Sequence, residues 1–451
     1  MSTIRKTELL VIGGGPGGFA VAYHAKYLYP EMKITLVRKE DVAIIPCAIP
    51  YMFSTLGTIG KFVLSDHPLE ELGVDIEINE VRSVNVSNRI AFLSDGTEIH
   101  YERLVLATGS IPVKPPIPGS EFENVYYVYK DFKYLNQLLK AVKDSDTITI
   151  VGGGFVGVEF AEEIAKLGKK VTIVEMLPHC LQLNFDDEFC ILAEEELRRK
   201  GITLKTGVKV AEILGEGRKA KAVKLENGEV IPTDLVIITV GMRPNTELAK
   251  GMGLNLNERG FIIVDEFMRT SVPNIFAIGD CAEKRDFLTG KPIPAMLSSI
   301  ACMEAKVAAT NLKNITNMKM YKGIVSVFIT KVGDYVLGAA GYTESRARRE
   351  GLNIITETVE TIDKHPGTMP GTRKLKVKLI ALKDTQTLIG AEVCGGHSAG
   401  ELTNLLGTLI QKQVTISELV SLQIATHPDL TASPMMYPVT IGALQMFKKL
   451  R

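Results

Sequence analysis

A glycine turn occurs twice in this chain, each time between a short apolar run and a stretch of small residues. The first copy reads Leu9-Leu10-Val11-Ile12, then Gly13-Gly14-Gly15-Pro16-Gly17-Gly18, a helical pattern from Phe19 to about Leu28, and Ile34-Thr35-Leu36-Val37. The second reads Ile148-Thr149-Ile150-Val151, then Gly152-Gly153-Gly154-Phe155-Val156-Gly157, a helical pattern to about Leu167, and Val171-Thr172-Ile173-Val174. Strand, glycine turn, helix and strand in this order form a dinucleotide-binding βαβ unit. Glycine permits the tight turn and lets the backbone approach a pyrophosphate, which then sits on the positive end of the helix. Gly13, Gly15 and Gly18 fit the G-x-G-x-x-G spacing in the first copy, and Gly152, Gly154 and Gly157 fit it in the second. Two copies imply two nucleotide sites, and 451 residues suffice for two or three cores.

In such a unit an acid on the end of the second strand hydrogen-bonds a ribose. Glu175 stands there in the second copy, and no Arg or Lys follows within Met176 to Gln182. NADH is therefore expected in preference to NADPH, with His179 the residue that keeps NADPH open. In the first copy Arg38 replaces the acid, with Glu40 and Asp41 close behind.

Composition excludes several classes of partner. Lys+Arg and Asp+Glu both number 52, so no net field points to nucleic acid or to an anionic membrane. No apolar run approaches the ~18 residues that span a bilayer, and the start lacks the apolar core of a signal peptide, so the expected location is cytoplasmic. The six cysteines contain no Cys-x-x-Cys pair and the seven histidines are scattered, which argues against a metal site. Pro112 to Gly119 and Gly241 to Asn245 read as crossovers between domains. From about Tyr321 β-branched runs (Ile324 to Thr330, Leu375 to Leu382, Leu388 to Val393) and a helix near Ala399 to Gln411 suggest a separate α+β domain.

Further along, Phe276-Ala277-Ile278-Gly279-Asp280-Cys281-Ala282 follows the two glycine loops, and Ala107-Thr108-Gly109 follows the strand Leu104-Val105-Leu106. Together these motifs resemble the flavoprotein disulfide reductase family over nearly the whole chain. The resemblance implies two Rossmann-like α/β domains, one for FAD and one for NAD, plus a C-terminal α+β dimerisation domain. The corresponding division is 1–113 and 242–321 for FAD, 114–241 for NAD(P)H and 322–451 for dimerisation. It places Asp280 on the flavin ribityl chain. It assigns Gly13, Gly15, Pro16, Gly18, Arg38, Val81, Ala107, Thr108, Gly109, Gly279, Asp280 and Ala295 to the FAD side. Gly152, Gly154, Phe155, Val156, Gly157, Glu159, Glu175 and Gly241 fall to the NAD side. Such proteins are usually homodimers whose C-terminal domains complete each other's active sites.

The subgroup is decided near Cys47. Where two-cysteine members carry Cys-x-x-x-x-Cys, this chain has Met52, so no disulfide within that motif forms. Pro46-Cys47-Ala48-Ile49-Pro50-Tyr51 resembles the single-cysteine branch, which includes coenzyme A-disulfide reductases, NAD(P)H persulfide or sulfur reductases, and NADH oxidases and peroxidases. One thiol near a flavin is stored as a mixed disulfide, with coenzyme A the best candidate, or as a sulfenic acid. The other cysteines, Cys180, Cys190, Cys281, Cys302 and Cys394, are expected to be structural. The first glycine loop has no histidine, which weakens the oxidase or peroxidase alternative. His24, Lys26 and Tyr51 are candidate coenzyme A contacts. In Thr426-His427-Pro428-Asp429-Leu430-Thr431, His427 is a candidate acid–base group supplied by the partner subunit, with Tyr437 the alternative donor. The expected activity is an FAD-dependent NAD(P)H reductase of persulfides, polysulfides or coenzyme A-type disulfides.

Overall fold

The computed structural model describes residues 3–316, 318–319 and 323–451. The chain forms two compact units: Met1–Lys114 with Tyr127–Lys140 and Gly241–Ile324, and Pro115–Tyr126 with Ala141–Val240 and Val325–Arg451. This grouping differs from the four-segment division above. Tyr127–Lys140 joins the first unit, where the Tyr134 hydroxyl accepts from the Tyr127 amide and the Lys130 ammonium meets Asp280. The second glycine loop and the C-terminal segment fall in one unit. The proposed 321/322 boundary lies outside the described residues.

The first unit is built on a seven-stranded sheet. Strands Asp75–Ile78, Ile34–Arg38, Ile4–Ile12 and Glu98–Leu106 run parallel, and Ile275–Ala277 adds to the last of them, also parallel. Parallel strands covered on both faces need continuous apolar runs rather than alternation, which is why Leu9-Leu10-Val11-Ile12 reads as it does. Leu9 and Val11 pack with Val21, Ala22 and Ala25 of the helix Pro16–Leu28 and with Ala305, Ala308 and Ala309 of the helix Ser298–Thr310. Leu10 and Ile12 face the opposite cluster, with Ile99, Leu254 and Ile262.

The second unit contains Thr203–Thr206, Lys170–Glu175, Thr147–Val151 and Leu235–Ile238, again parallel. Its C-terminal part is a five-stranded antiparallel sheet of Val327–Val332, Tyr335–Gly341, Leu388–Gly395, Lys374–Leu382 and Ile354–Ile362, in that spatial order. The helix Ser398–Gln411 packs on one part of it and Pro438–Leu450 on another. Both arrangements together form the expected mixed α/β architecture. No helix among the described residues is long and apolar enough to cross a membrane.

Candidate active site

The first glycine turn opens onto a cavity of about 990 Å³ within the first unit. Gly13 has φ +112°, and a side chain there would lie 2.2 Å from the Ala107 carbonyl oxygen. At Gly18 an added Cβ would stand 1.8 Å from the Gly13 carbonyl oxygen, so this glycine lets the helix close onto the strand. Gly15, in contrast, has open space before it and precedes a helix start with no side-chain cap, leaving backbone amides for an anion. Pro16, Arg38, Val81, Ala107, Thr108, Gly109, Gly279 and Asp280 also line the cavity. Ala295 does not; it is buried in a small cluster with Ile300 and Ile324. This cradle fits a dinucleotide with its pyrophosphate at the helix start, as FAD requires.

Asp280 sits on a one-turn helix that begins at Gly279, whose φ is +71°. Its carboxylate accepts hydrogen bonds from the Ser110 hydroxyl at 2.6 Å and the Lys130 ammonium at 3.0 Å. Burial opposes its charge, but Lys130 and Ser110 outweigh that and hold the carboxyl below its usual range. Behind it, Glu304 and Lys284 form a pair buried to 1% exposure each. Glu304 accepts from the Gly279 amide at 2.7 Å, and Lys284 donates to the Gly279 carbonyl. The turn that presents Asp280 is thereby fixed at both its polar backbone groups. Arg38 braces its own surroundings: it donates to both oxygens of Asp66 and to the carbonyls of Glu40 and Asp41.

Cys47 lies in the short turn Pro46–Ala48, with an exposed thiol. Its Sγ is 3.3 Å from the Ser298 hydroxyl, at the start of the helix Ser298–Thr310. Pro46 and Ser298 both line the cavity, so the thiol borders the space offered to the dinucleotide. Met52 is fully buried. Tyr51 is 36% exposed nearby in sequence. Lys26 donates from its ammonium to the Met32 carbonyl at 2.9 Å, so its charge is partly spent on the loop that follows its helix. His24 is depressed by burial and by the neighbouring charge of Lys306.

The second glycine turn repeats the first. Gly152 has φ +109°, and a Cβ at Gly157 would meet the Gly152 carbonyl at 1.9 Å. Gly154 is open and the helix Phe155–Ala165 again begins without a side-chain cap. Glu175 accepts from the amides of Gly153 at 2.6 Å and Leu177 at 2.7 Å, which ties the strand end to the turn. His179 is paired with Glu194 at 3.3 Å. Phe155 stacks on Phe328 at 5.5 Å, and Val156 is 38% exposed. Glu159 accepts from the Thr330 hydroxyl at 2.8 Å, and burial pushes its carboxyl up to about 7. Gly241 has φ +112° and its carbonyl accepts from the Val113 amide.

In the second unit His427 is exposed, and its Nδ1 accepts from the Asp429 amide at 3.2 Å, a bond of the opposite sense to that of a carboxylate, which would accept from Nδ1–H. Tyr437 is 9% exposed, borders a cavity of about 590 Å³ with Arg373, Ser398 and Thr431, and burial raises its phenol. Cys180, Cys190, Cys281 and Cys394 are buried; Cys302 is only half-buried. Sequence reading missed Ser110, Lys130, Ser298, Glu304 and Lys284, none of which carries a local motif.

Residues 7–309 match the model of the pyridine nucleotide-disulphide oxidoreductases, and residues 327–436 match that family's dimerisation domain. A protein of Methanocaldococcus jannaschii named NADH oxidase is 30% identical over 98% of this chain and 99% of its own length. The NAD(P)H coenzyme A polysulfide/persulfide reductase of Pyrococcus horikoshii is 31% identical over 88% of this chain and 89% of its own. A NAD-dependent persulfide reductase from A. fulgidus superposes with a TM-score of 0.92 at 29% identity, covering 98% of this chain and 83% of that one. Two glycine cradles, the braced aspartate and these matches agree: the chain belongs to the pyridine nucleotide-disulphide oxidoreductase family.

Proposed function

We propose that this protein is an NAD(P)H-dependent flavoprotein that reduces persulfides, polysulfides or coenzyme A-type disulfides through Cys47. The observation that carries this reading is an exposed thiol, without a second cysteine in its own motif, hydrogen-bonded to Ser298 on the rim of the FAD-sized cavity. Bound FAD supplies a two-electron relay between the nicotinamide and the thiol. The open amides after Gly15 hold its pyrophosphate, and Asp280, kept charged by Lys130, accepts from its ribityl hydroxyls. The amides after Gly154 hold the nicotinamide dinucleotide in the same way, with Glu175 toward its ribose.

Cys47 attacks one sulfur of the substrate as a thiolate, forming a mixed disulfide and expelling the other sulfur. Coenzyme A is the partner in that mixed disulfide, as the name of the P. horikoshii relative suggests. Ser298 holds the Cys47 sulfur in place. His427, supplied by a second copy of the chain in a homodimer, protonates the leaving thiolate, and Tyr437 is the alternative donor.

A second reading, an NADH oxidase or peroxidase with a Cys47 sulfenic acid, is favoured by the name of the M. jannaschii relative. The two separate under anaerobic assay with coenzyme A disulfide, coenzyme A persulfide, polysulfide, peroxide and oxygen offered in turn. Sulfur substrates are expected to turn over fastest, and Cys47→Ser to remove that activity while FAD stays bound. Wild-type sulfur reduction in Cys47→Ser would overturn the assignment. A single added oxygen on resting Cys47, with peroxide the preferred substrate, would establish the second reading.

A further inference from the structure

Of the six cysteines, all of them among the described residues, only Cys47 and Cys302 are not buried. They are far apart in sequence, but Ser298 brings them together. Its hydroxyl touches the Cys47 sulfur at 3.3 Å, and Cys302 follows Ser298 by four residues on the same helix, Ser298–Thr310. Residues four apart stand one above the other on a helix face, with Cβ atoms about 5–6 Å apart. Cys302 therefore lies one turn below the group that Cys47 contacts. Its sulfur makes a long, weak hydrogen bond to the Pro16 carbonyl, at 4.0 Å. Cys47 sits on a three-residue turn in which no residue is buried. A disulfide needs Cβ atoms about 3.5–4.5 Å apart, so forming one here requires the Cys47 turn to move from Ser298 toward the next turn of the helix.

We infer that Cys302 is a resolving thiol for Cys47, so that this chain makes an internal disulfide despite Met52. The inference rests on the thiol mechanism proposed above. In the first step the Cys47 thiolate forms Cys47–S–S–R with the substrate. The Cys302 thiolate then attacks the Cys47 sulfur. A Cys47–Cys302 bond forms, the bond to R–S breaks, and R–S⁻ leaves with that bond's electron pair. The proton of Cys302 passes to solvent or to the departing thiolate. Two electrons and two protons, the electrons drawn from NAD(P)H through the proposed activity, return both cysteines to thiols.

Burial, the largest effect, raises the Cys302 thiol, and the nearby Cys47 adds a little to that, while Lys306, one turn further on, opposes both. An adduct on Cys47 removes the smallest of these effects and leaves Lys306 beside the attacking sulfur.

The test is to expose the NADH-free holoenzyme anaerobically to coenzyme A disulfide, block free thiols in acid, and map the digested chain by mass spectrometry. A Cys47–Cys302 cross-linked peptide is expected in the wild type. Cys302→Ser and the volume-conserving Cys302→Val, each checked for bound flavin, are expected to hold the coenzyme A adduct on Cys47 instead. Their kcat is expected to fall about tenfold or more as resolution passes to an external thiol, with KM little changed. A wild-type protein that keeps the adduct on Cys47 with Cys302 fully blocked would overturn the inference alone. Finding neither adduct nor cross-link at Cys47 would overturn the thiol mechanism beneath it as well.

Discussion

Asp280 and Glu159 are both screened from water, yet their surroundings push them in opposite directions. Burial acts on each in the same sense, toward the neutral acid. Asp280 meets an ammonium and a hydroxyl and stays charged. Glu159 meets the Thr330 hydroxyl and no ammonium among the described residues, Glu162 adds repulsion, and its carboxyl rises from 4.5 to about 7. A raised folded value means that Glu159 contributes stability fully below its unfolded range and loses it as pH climbs through about 7. It stands one turn into the helix that begins at the second glycine loop, so on the proposed function its charge state acts on the nicotinamide side. Stopped-flow reduction of the bound flavin by NADH is therefore expected to show an inflection near pH 7 that disappears in Glu159→Gln. A profile unchanged by the substitution would assign the inflection elsewhere.

The two glycine turns were legible because their geometry is local. Each requirement, a left-handed first glycine and a third glycine against the first one's carbonyl, is met within six residues. The groups that hold Asp280 and Cys47 were not legible for the opposite reason. Lys130 is 150 residues from Asp280, and Ser298 is 251 from Cys47. Their pairing depends on the path of the chain through the sheet, and neither residue type marks itself. Arg38 falls between these cases: its replacement of the acid was visible, but its bracing by Asp66, 28 residues on, was not. The local reading carries its own test. In Gly157→Val the new side chain has nowhere to go, since the Gly152 carbonyl and the Thr239 hydroxyl stand 1.9 and 2.9 Å from its Cβ. The second turn must open, and the amides aimed at the pyrophosphate lose their alignment. We expect NADH-dependent turnover at low NADH to fall roughly tenfold to a hundredfold while FAD is retained, because the proposed function gives FAD the other loop. Loss of FAD together with NADH binding would instead mean that the substitution unfolds the protein.

At the scale of the whole molecule, one chain keeps its proposed thiol and its proposed acid in different units, Cys47 in the first and His427 in the second. His427 is exposed, and with its Nδ1 accepting from the Asp429 amide, Nε2 is the nitrogen without a hydrogen bond among the described residues. A side chain exposed in its own chain suits a site completed by another copy, and the dimerisation-domain match spans it at residues 327–436. Complementation tests this directly. Cys47→Ser and His427→Ala subunits, each impaired alone, are co-expressed with different tags so that mixed dimers can be isolated. In a mixed dimer one site pairs the intact Cys47 of one subunit with the intact His427 of the other, while the second site lacks both. With active sites shared across a two-fold dimer, purified mixed dimers should recover about half of the wild-type rate, and an unsorted mixture about a quarter. If each chain used its own His427, no site in the mixed dimer would be whole, and the activity would stay at the level of the single variants.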